Sequence, residues 1–268
     1  MKLFYRIAGE GDPIVIAHGL YGSSDNWISI SKTLANKHQV ILVDLRNHGQ
    51  SPHSTSHSYS DLSDDLFELF NKLNLSKATI IGHSMGGKAA MQFAINHPEK
   101  LNSLIVVDIA PKSYADSNGY APQAKEHLSI LSAMRELPLG IISSRAEADA
   151  KLAAKIPSVT LRQFLLKNLD RDKSNNFVWK LNLDALWQKL PALMGGIKTP
   201  DNFTPINGLK VLVIKGESSP YINEETDRLS FSQLFPNTKL VSIKGAGHWV
   251  HAEQPAQFIA EVENFLGS

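Results

Sequence analysis

A serine between two closely spaced glycines is the residue of this chain best suited to act as a nucleophile. The sequence Gly82-His83-Ser84-Met85-Gly86 matches the pattern G-x-S-x-G, follows the apolar run 78–81 and precedes an amphipathic segment, 88–96. In that context the pattern predicts a tight turn between a buried strand and a helix, from which the serine projects. Side chains at the two glycine positions would collide with the neighbouring strand and helix.

A serine hydroxyl needs a base before it can attack a carbonyl carbon, and histidine is the usual base. The chain has ten histidines. His248 follows the last predicted strand, between Gly247 and Trp249. A chain order of serine, acid and histidine places the base at this point. We therefore predict that His248 is the base for Ser84, with His251 as the weaker candidate.

Two residues compete for the role of the acid that orients the histidine. Glu217 directly follows Gly216 at the end of a predicted strand, and the position three residues after that glycine holds Ser219 rather than an aspartate. Asp108 ends an earlier strand, 104–107, and lies between the serine and the histidine in chain order. The geometry of a parallel sheet favours Asp108, and Glu217 stays open as the alternative.

Two backbone N–H groups are expected to stabilise the negative charge that forms on the attacked carbonyl oxygen. One belongs to Met85, the residue after the serine, and the other comes from the loop after an early strand, where Leu20 is the best placed. Gly19 and Gly22 let this loop approach a substrate closely. Four aromatic residues near these loops are predicted to contact the substrate: Tyr21, Trp27, Tyr221 and Trp249.

The segments that position these residues alternate between apolar runs and helical patterns. The predicted strands include 14–17, 40–43, 78–81, 104–107, 210–216 and 239–243. Continuous apolar strands are typical of a parallel sheet that is covered by helices on both faces. Right-handed crossovers then bring the carboxyl ends of the strands to one edge, where ligands bind. We expect an α/β protein with a mostly parallel sheet of about eight strands.

A long segment without strand patterns interrupts this alternation. Its helical patterns cover 123–137, 144–155, 159–169 and 183–193. Such an insertion is typical of a cap over the strand edge. We predict a core domain of residues 1–111 and 207–268, with an all-helical cap of residues 112–206. Some apolar cap residues could line a pocket, although packing explains them more readily: Leu131, Met134, Phe164, Trp187 and Met194.

The composition limits the classes of function. The 268 residues are 43% hydrophobic and 20% charged, as in an ordinary globular protein, and the net charge of +1 argues against nucleic acid as a partner. The absence of cysteine excludes thiolate nucleophiles, disulfides and cysteine-bound zinc. No signal peptide or membrane-spanning segment is evident, so we expect a cytoplasmic protein without membrane association. No motif predicts a cofactor or a metal site, and the oligomeric state stays open.

Several motifs together resemble the YbfF-type bacterial esterases of the α/β-hydrolase superfamily. They are His18-Gly19-Leu20-Tyr21-Gly22-Ser23, Asp25-Asn26-Trp27, Asp44-Leu45-Arg46-Asn47-His48-Gly49 with Ser51, Gly82 to Lys88, Asp108-Ile109-Ala110-Pro111, Ser218-Ser219-Pro220-Tyr221 and residues 245–253. The resemblance covers most of the chain and is weakest between residues 113 and 209. It implies an α/β-hydrolase fold and a serine esterase with a helical cap. It also implies an acid after the sixth strand, which favours Asp108.

The expected reaction is the hydrolysis of a carboxylic ester or thioester, with a short to medium acyl chain, through an acyl-enzyme on Ser84. His248 would transfer the proton and Asp108 would orient the imidazole. Other activities on the same residues stay open: carbon–carbon bond hydrolysis, cofactor-free haloperoxidation, acyl transfer, and ligand binding without catalysis. A serine at the nucleophile position disfavours epoxide hydrolase and haloalkane dehalogenase activity.

Overall fold

A seven-stranded sheet forms the centre of the computed structural model, which describes residues 1–116, 119–120 and 122–267. The strands in these residues are β1 (Tyr5–Ala8), β2 (Pro13–Ala17), β3 (Gln39–Val43), β4 (Ala78–His83), β5 (Leu101–Val107), β6 (Ala115–Asp116), β7 (Gly119–Tyr120), β8 (Leu169–Arg171), β9 (Phe177–Trp179), β10 (Lys210–Gly216) and β11 (Thr238–Ile243). The central sheet has the order β1-β3-β2-β4-β5-β10-β11. Its pairings are parallel except for β1 with β3.

Helices cover the sheet and form much of the insertion between β5 and β10. They are α1 (Ile28–Leu34), α2 (Tyr59–Lys72), α3 (Met85–Asn96), α4 (Pro122–Arg135), α5 (Arg145–Ala153), α6 (Val159–Leu166), α7 (Leu183–Met194), α8 (Glu224–Leu234), α9 (Val250–Glu253) and α10 (Pro255–Leu266). Among the described residues, none of these helices combines the length and the apolar character needed to cross a membrane.

Two apolar cores lie on opposite faces of the sheet, because successive side chains of a strand point to opposite faces. In β2, Val15 and Ala17 pack with helices α2 and α3, whereas Ile14 and Ile16 pack with α1 and α10. Both faces of the strand are therefore buried, which explains its continuous apolar sequence. The predicted α/β fold with a mostly parallel sheet is confirmed, although the central sheet has seven strands in the described residues rather than about eight.

The insertion between β5 and β10 is not all helical, so that part of the prediction is wrong. Besides α4 to α7 it contains two antiparallel ribbons, β6–β7 and β8–β9. The β8–β9 turn is held by Asp172, whose carboxylate accepts the N–H groups of Ser174 and Asn176. Strands of two or three residues are too short to show an alternating pattern. The cap boundaries at residues 112 and 206 stay a prediction.

Helix α3 holds both segments that connect the insertion to the sheet. The Lys88 ammonium donates hydrogen bonds to the carbonyl oxygen of Lys112 at 2.9 Å and to that of Gly195 at 2.5 Å. Gln92, one turn later, exchanges two hydrogen bonds with the backbone of Lys198. Burial lowers the pKa of Lys88 to about 7. The helix that follows Ser84 thus also fixes the position of the insertion over the strand edge.

We predict that Gly86→Ala destabilises the protein, because a Cβ at this position would overlap the backbone carbonyl oxygens of Ala17 and His18. Backbone atoms cannot move aside as a flexible side chain can, so the free energy of unfolding should fall by about 1–3 kcal/mol. Urea unfolding measures this change. Gly140→Ala is the matched control, because no atom lies within 4 Å of a Cβ there. Equal stability of the two variants would contradict the packing explanation.

Candidate active site

Ser84 occupies the strained turn between β4 and α3. Its backbone has φ 52° and ψ −117°, a conformation that non-glycine residues rarely adopt. The Ser84 N–H donates to the carbonyl oxygen of Val107 at 3.0 Å, and its own carbonyl accepts the N–H of Lys88 at 3.1 Å. A Cβ at Gly82 would overlap the backbone of Gly86. The glycines of the G-x-S-x-G pattern are therefore required by backbone packing, as the sequence predicted.

Asp108 and His248 form a carboxylate–imidazole pair whose carboxylate is buried and whose imidazole is partly exposed. Asp108 Oδ2 lies 2.7 Å from His248 Nδ1, and the carboxylate is completely buried. Its other oxygen accepts the N–H of Gly216 at 2.9 Å. The hydroxyl of Ser219 also donates to Asp108 Oδ2. These contacts fix the carboxylate, and it in turn orients the imidazole.

The alternative acid, Glu217, has a different partner. Its exposed carboxylate accepts the N–H of Gly245 at 2.9 Å and so closes the loop after β11. Ser219, at the position where an aspartate was expected, instead donates to Asp108. The structure thus brings Asp108, and not Glu217, to His248. Sequence reasoning missed the contribution of Ser219, because a serine in a loop shows no pattern of its own.

The loop that carries Leu20 is held rigidly from three sides. Tyr21 has φ 64°, and its N–H donates to His48 Nε2 at 3.3 Å. The side chain of Asn168 donates to the Tyr21 carbonyl oxygen at 2.8 Å. His18 Nε2 accepts the N–H of Leu45 at 3.0 Å, so its Nδ1–H is the donor to the Gly19 carbonyl oxygen at 2.8 Å. The insertion therefore helps to hold the backbone next to Leu20, which the sequence did not indicate.

A cavity of about 180 Å³ lies above the serine. Ser84, His248 and Leu20 line it, as do all four aromatic residues predicted to contact a substrate, namely Tyr21, Trp27, Tyr221 and Trp249. Trp27 is only 1% exposed and stacks on His251 at 3.9 Å, so it also belongs to the core behind the cavity. Of the apolar cap residues considered, Phe164 lines this cavity and Met194 a smaller one, whereas Leu131, Met134 and Trp187 pack in the core.

Three residues of α4, Glu126, His127 and Ile130, also line the cavity and were not predicted. His127 Nε2 lies 3.2 Å from the hydroxyl of Tyr221. The Tyr221 ring stacks on His248, with ring centroids 4.1 Å apart. Burial lowers the pKa of His127 to about 4, so this imidazole is neutral near pH 7. In the sequence, His127 lies in an ordinary amphipathic helix, where no motif distinguishes it.

A serine at a tight turn after the central strand of a mostly parallel sheet is the arrangement of the α/β hydrolases. The family model for the alpha/beta hydrolase fold matches residues 12–255. The sn-1-specific diacylglycerol lipase ABHD11 of Danio rerio is 36% identical over 96% of this chain and 79% of its own length. Esterase YbfF of Escherichia coli K12 is 34% identical over 96% of this chain and 94% of its own length.

A solved structure of a marine microorganism esterase is 44% identical to this chain, with a TM-score of 0.93, and the match covers 98% of this chain and 99% of the other. The chain therefore belongs to the alpha/beta hydrolase fold family. The predicted resemblance to the YbfF-type esterases is confirmed. The names of these relatives also agree with the expected class of ester-bond hydrolase.

We predict that His251 lowers the stability of the protein in acid. Burial lowers its pKa from about 6.5 to about 3. The unfolded chain therefore binds a proton between these pH values that the folded protein does not bind, and stability falls as the pH drops through 6.5. For one such group the free energy of unfolding should be about 2 kcal/mol lower at pH 5 than at pH 7.

The measurement is urea unfolding of the wild type and of His251→Gln at both pH values. The free energy of unfolding differs between pH 5 and pH 7, and the substitution should reduce this difference by about 2 kcal/mol, whatever its effect on absolute stability. His53→Gln is the control, because His53 is exposed. An unchanged difference in the His251 variant would show that this imidazole takes up its proton in the folded protein.

Proposed function

We propose that this protein is a serine esterase in which Ser84, His248 and Asp108 form the catalytic triad. The observation that carries the proposal is the contact of His248 with the buried carboxylate of Asp108, because this imidazole lines the same cavity as the strained serine. An imidazole held by a carboxylate is the usual base for a serine nucleophile. The reaction is the hydrolysis of a carboxylic ester or thioester.

His248 transfers protons in both halves of the proposed mechanism, acylation and deacylation. It first takes the proton of the Ser84 hydroxyl as Oγ attacks the carbonyl carbon, and it then gives this proton to the leaving alkoxide. Asp108 accepts the Nδ1–H of His248, which leaves Nε2 free to accept the serine proton. A water molecule, deprotonated by the same imidazole, then attacks the acyl-enzyme, and the imidazole returns this proton to Ser84 Oγ as the bond to the acyl group breaks. The products are a carboxylic acid and an alcohol or thiol.

The N–H groups of Leu20 and Met85 form the proposed oxyanion hole. Met85 is the first residue of α3, so its N–H lies at the positive end of the helix dipole. Leu20 lines the cavity next to the serine, and its loop is fixed through both neighbours. Donors that are already in place need no reorganisation as the negative charge develops, so they lower the barrier effectively.

The relatives support an ester as the substrate, because they are named as esterases and as a diacylglycerol lipase. The proposed partner is accordingly a small-molecule ester or thioester, with a short to medium acyl chain. The proposed steps use only the protein's own side chains and water. A cytoplasmic location stays a prediction from the sequence.

We predict that a fluorophosphonate probe labels this protein at Ser84 and that the wild type hydrolyses p-nitrophenyl acetate and butyrate. Ser84→Ala should lose the label and lower kcat by about 10⁶-fold, because the nucleophile is absent. Intact-protein mass spectrometry measures the label, and absorbance measures the hydrolysis. Ser143→Ala, at an exposed serine of the insertion, should keep both properties. Labelling of the Ser84 variant, or a wild type inert to probe and esters, would refute the proposal.

We predict that Asp108→Asn lowers kcat by about 10⁴-fold. The amide oxygen would accept the N–H of Gly216, so the amide NH2 would face His248, donate to Nδ1 and hold the wrong tautomer. Glu217→Gln should retain activity near that of the wild type, since Glu217 contacts the backbone of Gly245. Steady-state kinetics with p-nitrophenyl butyrate compare the two variants, and circular dichroism checks their folding. An active Asp108→Asn together with a crippled Glu217→Gln would reverse the assignment of the acid.

A further inference from the structure

Two cavities of unequal size meet at Ser84. The larger, of about 180 Å³, is lined by His248, Trp249 and His251 from the last loop. The smaller, of about 20 Å³, is lined by Met85 and Lys88 of α3 and by residues such as Ile109 and Met194. Among the described residues that line the smaller cavity, none comes from the His248 loop. The two cavities therefore extend from the serine in different directions, one along His248 and one away from it.

The proposed proton transfer from His248 to the leaving alcohol indicates which part of an ester lies in each cavity. His248 must reach the oxygen of the leaving alcohol to protonate it. The alcohol part of the ester therefore lies along His248, in the larger cavity. The acyl group lies on the other side of the attacked carbon, towards the smaller cavity. Tyr221 and His127 line both cavities and stand between them.

A groove on the surface lies beside the larger cavity. This groove, of about 500 Å³, shares Phe164, Trp249 and His251 with the cavity. Its apolar lining residues are Val159 and Phe164 of α6, Trp249 and Ala252, and Val159 is 61% exposed. Polar side chains, among them Gln163, Lys167 and Glu253, also line it. An exposed apolar surface next to a binding cavity is typical of a site for an extended apolar ligand.

The smaller cavity cannot extend in the same way. Tyr59, Tyr114 and Leu193 help to line it, and each of these side chains is at least nine-tenths buried. The hydroxyl of Tyr59 donates to the carbonyl oxygen of Leu193 at 2.6 Å. The hydroxyl of Tyr114 donates to the backbone carbonyl oxygen of Tyr221 at 2.7 Å. The Lys88 ammonium holds the chain at Lys112 and Gly195 beside it. A long acyl chain would have to displace these packed and hydrogen-bonded residues.

We propose that the preferred substrates are short-acyl esters of long apolar alcohols, with the acyl group in the smaller cavity and the alcohol chain along His248 into the groove. The proposal rests on the esterase mechanism above and adds the orientation of the ester. It follows from two observations: the very different sizes of the two cavities at Ser84, and the lining residues that the larger cavity shares with a neighbouring surface groove.

Two isomeric esters test the orientation directly. Octyl acetate and ethyl octanoate contain the same atoms, but the long chain is on the alcohol in the first and on the acid in the second. We expect kcat/KM for octyl acetate to exceed that for ethyl octanoate by at least about tenfold. A single methylene group that does not fit its pocket already lowers kcat/KM by about tenfold or more. The wild-type protein is assayed with each ester below its solubility limit. Equal rates, or faster hydrolysis of ethyl octanoate, would overturn the proposal.

A parallel assay with p-nitrophenyl acetate separates this test from that of the mechanism. Hydrolysis of p-nitrophenyl acetate without hydrolysis of octyl acetate would overturn the orientation and leave the esterase mechanism standing. Failure with all three esters, together with absence of fluorophosphonate labelling, would refute the esterase mechanism itself and the orientation with it.

A charge in the groove tests the site of the alcohol chain. Val159 is the first residue of α6, where an acidic side chain suits the helix dipole, so Val159→Asp should fold normally. It should lower the ratio of kcat/KM for octyl acetate to that for ethyl acetate by about tenfold. Ile141→Asp is the matched control, because Ile141 is 73% exposed and does not line the groove. A ratio that is unchanged in the Val159 variant would overturn the assignment of the groove.

Enlargement of the smaller cavity tests the site of the acyl group. Met194→Ala removes part of its wall. The ratio of kcat/KM for ethyl octanoate to that for octyl acetate should rise by about tenfold. Met194→Leu keeps most of the volume and serves as the control, and thermal melting shows whether both variants are folded. An unchanged ratio in a folded Met194→Ala protein would count against the acyl assignment.

Discussion

The backbone turn at Ser84 is the constraint on which the site depends. A non-glycine residue at φ 52° costs about 1–3 kcal/mol and persists only where its surroundings hold it. Here β4 lies between β2 and β5, and the three strands end together, with Ala17 beside Gly82 and His83 beside Val107. The same register that holds the serine therefore places the Leu20 loop on one side of it and Asp108 on the other.

Backbone strain extends beyond the serine. Tyr21, Asn47 and Asp108 also have positive φ, and all three follow the carboxyl ends of strands in the central sheet. Each is held by side chains or backbone from other elements: Tyr21 by His48 and Asn168, Asn47 by Asn182, and Asp108 by the N–H of Gly216. The contacts that hold these strained residues also keep the site preorganised. A loop without such contacts would have to be ordered at every turnover.

The histidines near the site differ in burial and in their hydrogen-bond partners. Burial lowers the pKa of His18, His48 and His83, so these rings stay neutral and act as fixed hydrogen-bonding groups. His83, for example, donates through Nε2 to the carbonyl oxygen of His248 at 2.9 Å. His248 differs from them because its imidazole contacts a carboxylate. In the proposed mechanism a contact of that kind stabilises the positive imidazolium.

The sequence by itself determined the serine turn, the two-faced parallel sheet and the candidates for base and acid, because glycine spacing and continuous apolar strands depend on local backbone geometry and burial. Only the tertiary structure showed that His248 contacts Asp108, whereas Glu217 contacts the backbone of Gly245. Both residues follow a strand end, so the sequence could favour Asp108 but left Glu217 open. The tertiary structure alone also placed Ser219, His127 and Asn168 at the site. These contacts join residues far apart in the chain, so no local pattern records them.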